Sequence, residues 1–78
     1  MPDLQQEREH LAEADRHIAE GRRRVADQVA LIARLAQDGH DTTQARRLFL
    51  TLEASLEGSH EHRQIILCNI ARLDPPAR

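Results

Sequence analysis

The chain has 78 residues, so it forms one small domain at most, and its single phenylalanine, without tyrosine or tryptophan, leaves an interior of aliphatic side chains. A formal net charge of −2 gives no electrostatic reason for general binding to nucleic acid. The single cysteine excludes an internal disulfide framework and a zinc site built on cysteine pairs.

No apolar stretch approaches the roughly 20 residues that are needed to span a bilayer. The first ten residues, MPDLQQEREH, have neither the basic start nor the apolar centre of a signal peptide. We therefore expect a cytoplasmic protein with no membrane partner.

The first half of the chain carries a seven-residue repeat. One line of the repeat consists of Leu4, Leu11, Ile18, Val25 and Ile32. A second line follows three residues behind each and consists of Glu7, Ala14, Gly21, Gln28 and Leu35. This is the spacing of one helix face that packs against another helix. It predicts a helix from about residue 3 to about residue 37.

The pattern breaks at QDGHD, which predicts a turn at about residues 38–41. Gly39 suits the left-handed position that follows a helix. Asp41 and Gln44 have the spacing of a capping box for the next helix, and Thr42 is a rival N-cap residue.

A second helix is predicted from about residue 42 to about residue 73, where the two prolines of LDPPAR end it. Residues 74–78 are expected to form a disordered tail. The seam of this helix consists of Ala45, Phe49, Leu52, Leu56, Ser59, Arg63, Ile66, Ile70 and Leu73.

Two helices joined by a short turn lie antiparallel, so the fold class is all-α and the whole chain, residues 1–78, is one helical hairpin. The register that fits the turn places Gly21 opposite Leu56, so that the glycine makes room for the leucine. It also places Arg63 opposite Ala14, with its guanidinium reaching Asp15 or solvent. A shift by one layer, which would place Gly21 opposite Arg63, stays open. Gly58 falls outside the seam and marks either a kink or a second close contact.

One seam provides little core for a chain of this length, and apolar residues remain beside it. Scattered surface alanines and leucines are normal in themselves. The favoured interpretation is nevertheless a homodimer in which two hairpins form a four-helix bundle. Its expected interface consists of Ala19, Ala26, Val29, Ala33, Leu50 and Leu67. The predicted function is that of a non-enzymatic helical module that acts through self-association or an unidentified protein partner, with no cofactor.

Metal binding is the main alternative. His17 and His62 are predicted on facing sides of the hairpin, with Glu13 one turn before His17, and two histidines, one glutamate and a water could bind zinc. Against this, no tight ligand spacing supports the site. Two Glu-x-x-His stretches, Glu7–His10 and Glu57–His60, have the form that di-iron carboxylate bundles use, although this motif is short and common in charged helices.

The stretch SHEHR at residues 59–63 resembles the phospho-acceptor box of sensor histidine kinases, which would make His60 the acceptor in a phosphotransfer hairpin. The similarity covers five residues, and the proline that usually follows is missing. The arginine clusters at residues 22–24 and 46–47 are flanked by acidic residues, so we expect these side chains to be exposed to solvent and not to form a phosphate-binding site. Cys68 is expected to be a small apolar filler.

Three longer stretches, AEADRHIAEGRRRVADQ, LAQDGHDTTQARRLFLTLEASL and HRQIIL, carry a wider resemblance. They resemble small uncharacterised proteins of alphaproteobacterial type that share an HIAEG-x-RR stretch, a GHDT turn and a terminal His-Arg pair. The similarity covers most of residues 12–67. It implies a helical hairpin and implies no activity.

Overall fold

A computed structural model describes residues 3–75 of the chain. Within this range, helix α1 spans Leu4–Gln37 and helix α2 spans Thr43–Leu73, with no strand among the described residues. The two helices pack against each other in opposite directions and form a rod of 60 × 23 × 14 Å. The predicted all-α hairpin is confirmed.

Helix α1 begins with a capping box that was not predicted from the sequence. The Asp3 carboxylate accepts a hydrogen bond from the Gln6 amide at 2.8 Å, and the Gln6 side chain accepts one from the Asp3 amide at 3.3 Å. Two backbone donors that the first helical turn leaves unpaired are thereby satisfied. A cap of this kind contributes about 1 kcal/mol to helix stability.

Helix α1 ends in a Schellman motif. The Gly39 amide donates to the Ala36 carbonyl at 3.1 Å, and the His40 amide donates to the Leu35 carbonyl at 2.9 Å. Gly39 has a φ of 77°, which is the left-handed conformation that glycine adopts without a steric penalty. The expected position of Gly39 is confirmed.

The predicted capping box at Asp41 and Gln44 is wrong. The Asp41 carboxylate instead accepts from the Thr43 hydroxyl at 2.7 Å and from the Thr43 amide at 2.9 Å. These two hydrogen bonds, the hydroxyl one first, hold the pKa of Asp41 below its usual value. Thr42, the rival candidate, occupies the N-cap position without a side-chain cap, and its hydroxyl instead accepts a hydrogen bond from Arg46 Nε at 2.9 Å.

Helix α2 ends at Leu73, and Asp74 still belongs to its last turn. The Asp74 amide donates to the Ile70 carbonyl at 2.8 Å, and the Asp74 carboxylate pairs with Arg8 at 3.3 Å. Asp74 is therefore an ordered helix cap and not the first residue of a tail. Residues 76–78 of the expected tail lie outside the described residues.

The predicted register is present in the structure. A Cβ atom built on Gly21 would lie 3.1 Å from the Leu56 Cδ1 atom, so the leucine does occupy the space that the glycine leaves open. Arg63 Nε donates to Asp15 Oδ1 at 2.6 Å, as the same register requires. The alternative register, with Gly21 opposite Arg63, is wrong.

Polar side chains occupy some of the best-buried positions of the seam. Only 4% of Glu7 and 7% of Gln28 are exposed, a burial comparable to that of Ala14, Ile18 and Ile66. Gln28 Nε2 donates to the Ala45 carbonyl at 2.8 Å, which satisfies the buried amide across the seam. The Glu7 carboxylate accepts a longer bond of 3.4 Å from Asn69.

The structure contradicts the expectation for Cys68 and one of the two alternatives for Gly58, the second close contact. Cys68 is exposed and fills no space in the interior, because it lies on the outer face of α2. A Cβ atom on Gly58 would meet no atom within 4 Å, so this glycine makes no close contact. Gly58 therefore retains the helix-propensity penalty of glycine without a packing benefit.

Apolar burial in the described residues is thin. Ala14, Ile18 and Ile66 are the buried apolar residues, and no side chain of the described residues is completely enclosed. The radius of gyration is 17.7 Å, whereas a compact domain of this length has about 11.5 Å. A single pair of helices has one contact face and leaves the rest of both helices in solvent.

Gly21 is packed against Leu56 and Gly58 is open to solvent, and this difference gives a test of the register. We expect Gly58→Ala to raise the free energy of unfolding by up to about 1 kcal/mol, because the position is helical and open. Gly21→Ala gains the same propensity but pushes its methyl group against Leu56, an overpacking that typically costs 1–3 kcal/mol. Urea unfolding at one fixed protein concentration measures both values.

The matched control for this comparison is the Leu56→Ala background, in which the opposing side chain is removed. There, Gly21→Ala and Gly58→Ala should change stability by similar amounts. Equal gains from the two substitutions in the wild-type background would contradict the close contact between Gly21 and Leu56.

Candidate functional site

The packed seam leaves the hairpin with two different flanks. The apolar flank carries the alanine stripe of α1 together with apolar residues of both helices, namely Ala12, Ala19, Ala26, Val29, Ala33, Ala36, Leu50 and Leu67. The opposite flank, the histidine flank, carries His17, Ser55, Ser59 and His62. This division follows from the heptad pattern, because residues that flank the seam on one side recur at the same spacing as the seam itself.

The apolar flank contains a groove near the turn. Val29 and Ile32 of α1 line this shallow groove together with Arg46, Phe49 and Leu50 of α2. We refer to these five residues as the turn-proximal groove. Val29 is 50% exposed and Leu50 is 64% exposed. Large apolar side chains from two helices thus meet at one exposed place.

The half of the same flank that lies far from the turn is charged. Arg8 pairs with Asp74 at 3.3 Å, and Arg63 pairs with Asp15 at 2.6 Å. Each pair joins α1 to α2. The side chains of both pairs are between about one third and just over one half exposed, so water solvates them in the single hairpin.

The residues expected at a dimer interface lie on this flank. Five of them are exposed, namely Ala19, Ala26, Val29, Ala33 and Leu50, and Leu67 is half-buried beside the seam. Ile32, Phe49 and Arg46 belong to the same surface, although they were not expected there from the sequence. Ile32 and Phe49 were assigned to the seam, and the structure leaves both of them partly exposed at its edge.

The histidine flank brings two of the proposed metal ligands to one place. His17 and His62 line the same shallow hollow with Ala14, Ser55, Gly58 and Ser59. Glu13 Oε1 lies 3.8 Å from His17 Nε2, one helical turn away. However, residues 3–75 contain no group of three or more histidine, cysteine, aspartate or glutamate side chains placed to hold a metal ion. The proposed set of His17, His62 and Glu13 is therefore not assembled.

The two Glu-x-x-His stretches lie in different environments. Glu7 is buried in the seam with its Oε1 atom 3.6 Å from His10 Nδ1, whereas Glu57 and His60 line an exposed hollow beside Leu50 and Glu53. A di-iron bundle needs equivalent motifs that project to one centre. In the hairpin, the side chains of these two motifs do not point toward one shared metal position.

No protein-family model, curated protein or solved structure matches the chain. The resemblance to alphaproteobacterial hairpin proteins therefore stays a prediction. Within residues 3–75, neither helix has a stretch that is both long enough and apolar enough to cross a membrane.

The histidine flank can be tested directly for metal binding. A metal that binds only the folded hairpin raises its melting temperature. We expect no rise with zinc or ferrous iron, because His17 and His62 share a hollow without a third ligand. A rise in the wild type that disappears in a His17→Ala, His62→Ala double variant would contradict this expectation and establish a metal site.

Proposed function

We propose that the hairpin is a non-enzymatic interaction module that associates with a second copy through the apolar flank, so that two hairpins form a four-helix bundle. The observation that supports this proposal is the contrast between the seam, which buries few apolar side chains, and the apolar flank, which exposes large ones. Three small or medium apolar residues are buried in the seam, while Val29 and Leu50 stand half or more exposed on the flank.

The exposed area supports association. The accessible surface of the chain is 6294 Å², whereas a compact folded monomer of 8.9 kDa exposes about 4,800 Å². A stable interface of standard size removes about 800 Å² from each partner. Docking of a second hairpin can therefore cover an interface of ordinary size and still leave the surface of a small folded protein.

The shape of the flank also suits a helical partner. The side chains of Ala12, Ala19, Ala26 and Ala33 are exposed and short, and at Ala19 they leave a hollow between the longer side chains of Arg16 and Arg23. A leucine or valine side chain of the second copy can then pack against these alanines. A two-fold contact of this kind is self-complementary, because each copy contributes the same small and large residues.

Association should depend on the apolar flank and not on apolar exposure in general. Leu50→Glu is expected to shift wild-type dimers to monomers, because it places a carboxylate in the turn-proximal groove. Ile65→Glu is the matched control, since Ile65 is 59% exposed on α2 but lies away from that groove. Sedimentation equilibrium at several protein concentrations measures the dissociation constant of each chain.

Ala26 provides the corresponding test on α1. Ala26→Glu should disrupt the dimer and lower the melting temperature, because folding and association are coupled in such a chain. Ala26→Ser keeps the small side chain and should weaken association much less. A wild type that remains a well-folded monomer at high micromolar concentration would overturn the proposal and make the flank a site for a different protein.

A further inference from the structure

The uneven composition of the apolar flank bears on how two copies dock. The half near the turn exposes Val29 and Leu50, with Arg46 in the same groove and Glu53 beside Leu50. The far half carries the ion pairs of Arg8 with Asp74 and of Arg63 with Asp15. Two hairpins related by a two-fold axis can place their turns at the same end or at opposite ends. The two arrangements bury different combinations of these halves.

We infer that the dimer places both turns at the same end, with the turn-proximal groove of each copy against that of the other. This inference rests on the proposed self-association. Helix α1 of one copy then lies on α2 of the second copy, and every neighbouring pair of helices runs antiparallel. Leu50 shares the groove with Val29 in its own hairpin, so in this arrangement it comes level with Val29 and Ala33 of the second copy.

The apolar contact favours the same-end arrangement. Val29 and Leu50 are the most exposed large apolar residues of the flank, and only the same-end arrangement places both copies of each within one continuous apolar cluster. The contribution of apolar burial is proportional to the area that leaves water. In the same-end arrangement, each groove covers the other, so apolar area of both copies is removed from water in one contact.

Electrostatics disfavours the opposite-end arrangement. There, each groove would place apolar side chains over the far half of the other copy, which carries the ion pairs, whereas in the same-end dimer the two far halves face each other. Desolvation of an ion pair under an apolar surface can exceed the attraction between its charges. Arg46 would come close to Asp74 of the second copy, but Asp74 already pairs with Arg8 at 3.3 Å within its own hairpin.

The test is a distance between the two turns. Gln37 is exposed at the end of α1, and Cys68 is exposed far from the groove, so Gln37→Cys in a Cys68→Ala background gives one spin label per chain. Pulsed dipolar spectroscopy of the dimer then reports a distance between copies alone. The same-end dimer predicts about 30 Å from the width of a four-helix bundle, whereas the opposite-end dimer predicts about 50 Å from the rise of each helix along a fully overlapped rod.

Each result decides between defined alternatives. A distance near 30 Å supports the inference, and a distance near 50 Å overturns it while the proposed self-association stands. A labelled chain that sediments as a monomer and gives no dipolar coupling overturns both. Should the label at Gln37 disturb the helix end, a label at the exposed Gln44, just beyond the turn, is expected to show the same short distance.

Discussion

The close approach of the two helices at Gly21 fixes the rest of the structure. The Leu56 side chain occupies the space beside this glycine, and one layer nearer the turn Gln28 donates a hydrogen bond to the Ala45 carbonyl. A slip by one layer would bring a larger residue against Leu56 and leave the buried amide of Gln28 without its acceptor. The register in turn decides which flank residues of the two helices meet, and so places Val29 beside Leu50 on one flank and His17 beside His62 on the other.

The thin interior connects stability to association. Glu7 and Gln28 occupy seam positions that apolar residues could fill, so they reduce the apolar burial available to the single hairpin. Buried polar residues of this kind are known to specify register in helical assemblies at a cost in stability. In the proposed dimer, burial of the apolar flank offsets that cost, and the fold and the interface become parts of one equilibrium. Such a chain has a melting temperature that rises with its own concentration.

Much of the architecture could be predicted because it depends on spacing. The heptad positions of Ile18 and Ile66, the pairing of Arg63 with Asp15, and the left-handed glycine at Gly39 all follow from helix periodicity and local backbone sterics. The failures depend on geometry that spacing does not contain. The sequences Asp3–Gln6 and Asp41–Gln44 have the same capping-box form, but a competing hydroxyl at Thr43 captures the second aspartate. Val29 and Leu50 were expected on the apolar flank, but Ile32 and Phe49 were assigned to the seam, because heptad spacing does not say how much of a seam residue stays exposed at its edge.

The antiparallel register also orders the folding of the chain in time. Near the turn, contacting residues are close in sequence, as Gln28 and Ala45 are, whereas Arg8 and Asp74 meet only after nearly the whole chain has closed on itself. The entropy lost on closing a loop grows with its length, so we expect contacts next to the Schellman turn to form first and the contacts of the far end to form last. The reverse process frays from the far end, where amide hydrogens should exchange earliest. The turn-proximal groove thus lies on the part of the hairpin that folds first and opens last.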